Sequence, residues 1–511
     1  MGDNGLLVQY FNANTPADQT LWTQAVKDAP VLKKMGATAV WFPPATKAAR
    51  GKDDVGYATY DLYDLGEFDQ KGSVATKYGT KEEYLAAIKA MKAAGIDVYA
   101  DVAVRQKLGA DKIEAVSAND FNGRPGPQMI GNKRTVGALS KFTFPGRKSK
   151  YSKFKWNWQH FEKIDWKQDE FRQRVIELAG MDPEKAAKEF SKYDYIIGSE
   201  LDLYNQEVYD ELMNWAAWYE TMTGVDGFRF QEAEYVPGWF IKDFSLAAAH
   251  AEKSKVDIEA EHGAKAADGS STDNGSADEP KNIFVVGDFW HWNKDYLNGY
   301  IDSTEGKAAM FDVPLHFNFH DCSYDEGDYD LSRLLDGSLM MSNPTKAVTF
   351  VDNHESQPGG ILESDVREWF KPLAYAIILL REQGYPCLFM GDYQGIAAVK
   401  VKSKKTILNK LLKLRKKYAY GVQHDYFDHP DVVGFTREGD AEHPDSGLAV
   451  IMSDGVGGTK RMYVGRQYAG CHFADVMGNA KYDIKIDDEG CGEFYVNRQG
   501  VAVWIKKGCK L

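Results

Sequence analysis

Four stretches of the chain run from apolar residues into ionisable ones. They are Val98-Tyr99-Ala100-Asp101-Val102-Ala103-Val104-Arg105-Gln106, Val225-Asp226-Gly227-Phe228-Arg229-Phe230-Gln231-Glu232, Ile283-Phe284-Val285-Val286-Gly287-Asp288-Phe289-Trp290 and Val348-Thr349-Phe350-Val351-Asp352-Asn353-His354-Glu355. Each reads as a short buried strand with a polar end. Asp288 and Glu355 can give or accept a proton, and Arg105, Arg229 and His354 can bind or orient such groups by charge-assisted hydrogen bonds. Gln231 is different: an amide carries no charge and is a poor nucleophile, so covalent catalysis has no evident source at that strand end. Glu232 follows it, but successive strand side chains point to opposite faces, which turns Glu232 away from Gln231.

Such groups cooperate only if one fold gathers the strand ends. Apolar runs at 6–11, 38–44, 308–315 and 385–392 read as further strands, the second stopped by Pro43 and Pro44. Helical patterns fall at 20–35, 205–223, 240–252, 407–417 and 80–94, the last with Thr80 as N-cap and Glu83 three residues on. Eight strands, each with a helical partner, predict an α/β fold, a (β/α)8 TIM barrel whose strand ends share one face. An open doubly wound sheet is the runner-up, weakened by the lack of GxGxxG after the first strand.

Residues 105–205 break the rhythm and are too long for a loop, so they read as an inserted β-rich subdomain. A polar, low-complexity stretch at 253–281 lies between a helix and the next strand, at the barrel end away from the chemistry, and is expected to be flexible. From residue 421 the texture changes to short alternating runs with Gly- and Asp-rich turns, an antiparallel β-sandwich. The predicted organisation is a barrel over 1–104 and 206–420, the insert over 105–205, and the sandwich over 421–511.

Composition narrows the partners. At 43% hydrophobic and 13% aromatic, the 511 residues can fill large cores. A net charge of −13 argues against a nucleic acid and against an anionic membrane surface. No apolar run reaches the roughly eighteen residues a membrane span needs. The five cysteines, Cys322, Cys387, Cys471, Cys491 and Cys509, are sparse and show no metal spacing, which favours a mostly reduced state. The first residues carry no signal-peptide pattern, so a cytoplasmic protein is expected, or a secreted one if a leader has been removed.

Asp54-Val55-Gly56-Tyr57, the run Tyr60-Asp61-Leu62-Tyr63-Asp64-Leu65-Gly66-Glu67-Phe68, the insert after the third strand, Phe350-Val351-Asp352-Asn353-His354, and Tyr418-Ala419-Tyr420-Gly421 before the sandwich form a set. Together they resemble the α-amylase family of glycoside hydrolases, the bacterial liquefying type in particular, nearly end to end. The resemblance implies retaining hydrolysis of α-1,4-glucans by a nucleophilic carboxylate and an acid about 5–5.5 Å apart. It also implies where those groups should stand, and all three carboxylate positions are altered. The fourth-strand nucleophile, Asp in the family, falls on Gln231. The fifth-strand general acid, Glu in the family, falls on Asp288, one methylene shorter and so drawn back by about 1.5 Å. The seventh-strand Asp falls on Glu355, one methylene longer.

The family's third-strand Asn-His, a calcium ligand and a contact to the −1 sugar, falls on Arg105-Gln106. Further calcium positions fall on Asp194, which is kept, on Glu200, where the family has Asp, and on the main-chain carbonyl of Tyr235. Tyr57, Arg229, Trp290 and His354 match residues that bind sugar or orient the nucleophile. The resemblance thus implies an α-amylase-like protein with a degenerate site, inactive or strongly impaired, with α-1,4-glucans or maltooligosaccharides as candidate ligands. Two alternatives stand beside it: an active hydrolase or transglycosidase using Asp288 or Glu355, and an interaction or regulatory subunit with an unidentified protein partner. No cofactor is expected; the family's calcium is expected to be replaced by an Arg105 salt-bridge cluster with Asp194 and Glu200. Glu355 is the expected partner of Arg229.

Other features have plainer readings. Glu234, where liquefying amylases usually carry Lys, is either a groove charge or a solvated loop charge. Glu162, Asp182 and Glu184 are a second cation site or, more simply, solvated carboxylates. Tyr151, Phe154, Trp156 and Trp158 are expected in the core of the insert, and the basic run 400–417 on a solvated helix face.

Overall fold

The strands beneath the four polar ends are apolar on both faces, as parallel strands buried between a barrel interior and an outer helical layer must be. In the computed structural model, which describes residues 4–122, 134–166, 174–178, 198–250 and 281–511, they close into a barrel. We label its strands β1 (Leu7–Gln9), β2 (Ala39–Phe42), β3 (Asp97–Val102), β4 (Gly227–Phe230), β5 (Phe284–Gly287), β6 (Ala308–Phe311), β7 (Ala347–Phe350) and β8 (Tyr385–Phe389). All neighbours are parallel, and β1 pairs with both β2 and β8 to close the ring.

Alternation along each strand decides what faces inward. Leu7, Trp41, Tyr99, Val286, Phe311, Phe350 and Cys387 form one buried cluster inside the barrel, while Val8, Val40, Val98, Phe228, Val285, Met310 and Leu388 join the cluster beneath the helices. Asp101 shares the inward parity of Tyr99, and Arg229 pairs in register with Asp101 on one side and Val286 on the other. A period-two backbone therefore delivers a guanidinium and a carboxylate to the same interior layer. Gly227 opens room below them: a Cβ there would stand 2.4 Å from the Phe284 carbonyl oxygen, under the stacked rings of Tyr99 and Phe284.

Two expected strands are shorter than their apolar runs. β6 stops at Phe311 because the Asp312 side chain accepts from the Leu315 amide and, with Pro314 in the first turn, starts the helix Val313–Tyr324. β7 stops at Phe350, and the segment carrying His354 and Glu355 is a turn braced by Asn353, whose Oδ1 accepts from the amides of Glu355 and Ser356 at 2.8 Å. The helix Lys81–Ala93 has the expected capping box between Thr80 and Glu83.

Between β3 and β4 the insert forms a six-stranded sheet in the order Gln106–Lys107, Ser199–Leu201, Phe161–Trp166, Arg174–Leu178, Lys112–Asn122, Arg134–Lys141. Trp156 is buried in its core, with Tyr151, Phe154 and Trp158 packed against it. Asp182, Glu184, Asp194 and the stretch 253–280 lie outside the described residues. Beyond the helix Lys405–Tyr418, antiparallel strands from Gln423 to Lys506 form a C-terminal β-sandwich around Ile451, Phe473, Phe494 and Trp504. The basic face of that helix is not wholly solvated as expected. Arg415 is buried, donates to the main-chain oxygens of Leu379 (2.6 Å) and Gly5 (2.7 Å), and so ties the helix to the chain start.

Behind β7, the buried Lys371 ammonium lies 2.8 Å from Asp352 and also bonds Asp392, which accepts from Tyr375 at 2.8 Å. Removing the cation leaves two carboxylates in an apolar wall. Lys371→Met is expected to cost about 3–5 kcal/mol of folding free energy, read as a lowered midpoint in denaturant titration; an unchanged midpoint would contradict this account of the triad.

Candidate functional site

The strand ends open into a cavity of about 640 Å³, of the size that holds a small ligand. Tyr57, Gln106, Gln231, Asp288, Trp290, His354 and Glu355 all line it, as do Arg105, Glu232, Glu234 and Tyr235. Arg229 lies beneath, fully buried. Glu200, also expected near the site, is outside this lining and is reached through Arg105.

Arg229 organises the floor. Its Nη1 donates to both oxygens of Asp101 at 3.0 and 3.1 Å, while Nη2 donates to Asp288 and, at 3.4 Å, to Glu355. Its guanidinium carbon sits 4.9 Å from the Trp41 ring. Glu355 is a partner of Arg229, as expected, but the weakest of three, because Asp101 stands directly across in register and the short Asp288 side chain stays close to the end of β5. Asp101 also accepts from Trp41 Nε1 (3.0 Å) and Tyr57 Oη (2.7 Å). Burial pushes the Asp101 carboxyl up, against the pull of Arg229, Tyr57 and Trp41. Sequence reasoning missed Asp101 as a site residue. The available signal was a lone carboxylate on the inward parity of an otherwise apolar strand.

A chain of hydrogen bonds continues upward. The Gln9 amide stands 2.9 Å from His354 Nδ1, and His354 Nε2 stands 2.8 Å from Tyr57 Oη. With Gln9 donating to Nδ1, the imidazole proton is on Nε2, directed at Tyr57, which donates to Asp101. Burial and the Arg229 charge hold His354 well below its ordinary pKa. Burial, then the Asp288 charge, holds Glu355 well above the carboxylate range despite Arg229. Asp288 and Glu355 both accept from the same Arg229 nitrogen, Nη2.

Gln231 follows β4 on the parity of Arg229, and its amide N–H donates to the Val102 oxygen at 3.1 Å. Among the described residues its side chain makes no hydrogen bond. Glu232 then leaves the strand with φ 48° and ψ 50°, the left-handed region. Its carboxylate meets Arg105 Nη1 at 2.5 Å, and Arg105 Nε donates to Glu200 at 2.9 Å. The Arg105 guanidinium also lies 4.1 Å from the Tyr235 ring. Glu232 was not among the partners expected for Arg105; the left-handed turn, not strand alternation, places it at the cavity edge beside Arg105. Lys163 Nζ approaches the other oxygen of Glu200 at 3.6 Å. Glu234 is not a solvated loop charge: its Oε2 is buried in the cavity wall, and burial followed by the Asp288 charge pushes its pKa up to about 8. Among the described residues no group of three or more His, Cys, Asp or Glu side chains is placed to hold a metal ion.

The pattern described as Alpha amylase, catalytic domain matches residues 26–429. The chain belongs to the α-amylase family. The pattern described as Alpha-amylase C-terminal matches residues 448–505. The chain is similar to an alpha-amylase of Geobacillus stearothermophilus, 43% identical over 99% of this chain and 87% of that protein. It is also similar to a glucan 1,4-alpha-maltohexaosidase of a Bacillus species, strain 707, at 42% over 99% and 93%. A cytoplasmic alpha-amylase of Escherichia coli K12 is 35% identical over 98% of this chain and 99% of that protein. Among solved structures, an Anoxybacillus α-amylase superposes with a TM-score of 0.62 at 15% identity, covering 100% of this chain and 98% of that one, and shares the fold. Among the described residues no helix is long and apolar enough to cross a membrane.

Two buried histidines border this family site. His316, beside Trp290, donates from Nδ1 to the Val351 oxygen (2.7 Å), and burial lowers its pKa to about 4. A histidine held neutral in the fold binds fewer protons than in the unfolded chain, so stability is full above about pH 6.5 and falls as pH drops toward the folded value. The expected slope is up to about 1.4 kcal/mol per pH unit for each of His316 and His354. Urea titrations at pH 6.5 and 5 should show it, and His316→Gln should flatten it; parallel pH curves for parent and variant would contradict the assignment.

Proposed function

We propose that this protein binds α-1,4-glucan chains in the barrel-mouth cavity and hydrolyses them very slowly or not at all. The observation that carries the reading is the floor of the site. Gln231, an amide, stands where the resemblance implies the nucleophile, and the carboxyls of Asp288 and Glu355 are both engaged by one nitrogen of Arg229. A retaining glycosidase needs its carboxyls about 5–5.5 Å apart, and an inverting one about 6.5–9.5 Å, with the scissile bond between them. Asp288 and Glu355 are instead both turned to one nitrogen of Arg229. Loss of a covalent nucleophile alone lowers turnover by roughly 10⁴–10⁶. The cavity-lining groups Tyr57, Trp290 and His354 support retained binding, as does the similarity to an alpha-amylase and a maltohexaosidase.

Turnover and binding measured side by side test this. Maltoheptaose is expected to bind, with hydrolysis at least about 10³-fold below that of a related α-amylase. Gln231→Asp alone should restore little, because Asp288 stays drawn back; Gln231→Asp with Asp288→Glu should raise turnover well above either single change. Ordinary turnover by the parent, abolished in Asp288→Asn, would favour a rearranged active enzyme. No sugar affinity together with a co-purifying partner would favour a regulatory subunit.

We also infer that no divalent cation binds at the family position beside Glu200. A guanidinium already lies on Glu200 and Glu232, and a second cation there would face its charge directly. Arg105 supplies the positive charge between the insert and the barrel. A crystal grown in calcium should show no ion on Glu200; an ion coordinated there would overturn this. The relative named a cytoplasmic alpha-amylase supports a cytoplasmic protein.

A further inference from the structure

The loop after β5 carries an aromatic stack that the site does not use. Trp292 is 71% exposed and Tyr296 is 59% exposed, and both pack on one histidine. The His291 ring lies 5.7 Å from Trp292 at 19° and 4.2 Å from Tyr296 at 33°. Phe289 buttresses His291 edge-on at 6.1 Å and is itself backed by Tyr300 at 5.5 Å. The stack is held in place. His291 Nδ1 accepts from the Asn293 amide at 3.0 Å, and the Asn293 side chain caps the helix Lys294–Ser303 that carries Tyr296. With Nδ1 accepting, the N–H of the ring is on Nε2.

Three properties of this stack bear on a ligand. Large aromatics this exposed are unusual away from binding surfaces, and Trp and Tyr bring rigid, flat area at low entropy cost. The flanking residues are polar, and Lys294 pairs with Asp295 at 3.0 Å, so no wide apolar patch of the kind that suits a protein partner surrounds the rings. The stack is near the cavity though not part of its lining: Trp290 lines the cavity, and Trp292 follows within at most about 7 Å of extended chain. A pyranose ring presents a C–H face to stack on an aromatic ring and hydroxyl edges to meet an N–H donor.

We propose that Trp292, His291 and Tyr296 form a platform for the part of an α-glucan chain that extends beyond the barrel-mouth cavity. The platform rests on the glucan-binding reading and extends it: the cavity takes a short segment, and the stack makes affinity depend on chain length. Because Trp292 and Tyr296 are exposed, replacing them leaves the cores intact.

Calorimetric titration of the full chain with maltotriose and with maltoheptaose separates the two ideas. For the parent, maltoheptaose should bind more tightly than maltotriose. Trp292→Ala and Tyr296→Ala should each weaken maltoheptaose about 5- to 20-fold while leaving maltotriose within twofold, and Trp292→Phe should recover most of the loss. Retained maltoheptaose affinity in Trp292→Ala, or an equal loss for both lengths, overturns the platform and leaves the glucan-binding reading standing. A parent that binds neither sugar overturns both. Concentration-dependent self-association of the parent, abolished in Trp292→Ala without any length-dependent loss, assigns the stack to a second copy of the chain and likewise overturns the platform.

Discussion

A fully buried guanidinium at the barrel mouth sets the terms for everything around it. Arg229 cannot shed its proton, and taking it out of water costs several kcal/mol unless opposite charge and hydrogen bonds surround it. The fold answers with Asp101 in register across β3 and β4, Asp288 at the end of β5, and Glu355 from the turn after β7. Two carboxylates there already exceed the single positive charge. A third in the same low-dielectric space is disfavoured as an anion, and burial with the Asp288 charge raises the Glu355 carboxyl well above the usual range. The amide at 231 fits the same balance, since another carboxylate would add a further buried negative charge.

A second guanidinium repeats the arrangement at the edge of the cavity. Arg105 joins Glu200, from the insert, to Glu232, from the turn after β4, and covers the Tyr235 ring. Glu232 is held in a left-handed conformation that costs a non-glycine residue on the order of 1–3 kcal/mol. The Arg105 contact and the bond from the Ala233 amide to the Asp288 oxygen (2.7 Å) hold that turn. The same turn carries Glu234 into the cavity wall. The two arginines thus determine where the acidic groups of this site stand.

The eight strands and the placement of the four polar ends were legible in the sequence, because parallel strands buried on both faces read as short apolar runs. The family was legible for a similar reason: its motifs sit at strand ends, where spacing along the chain translates into position on one face. The ends of β6 and β7 were not legible, since Asp312 and Asn353 stop those strands by side-chain caps that an apolar run conceals. Nor was the burial of Arg415, whose partners are main-chain oxygens far away in sequence.

By itself, then, the sequence determined the barrel and its inserted and C-terminal β domains, since each follows from local residue type and order. Only the tertiary structure decided how the charged groups at the strand ends pair. Asp101 rather than Glu355 is the main counter-charge of Arg229, Glu232 is a partner of Arg105, and Asp288 and Glu355 meet on one nitrogen of Arg229. These pairings join residues 59 to 128 positions apart, for Arg229 with Asp288 and with Asp101. Strand register and side-chain length, evaluated in three dimensions, select among carboxylates that the sequence leaves equivalent.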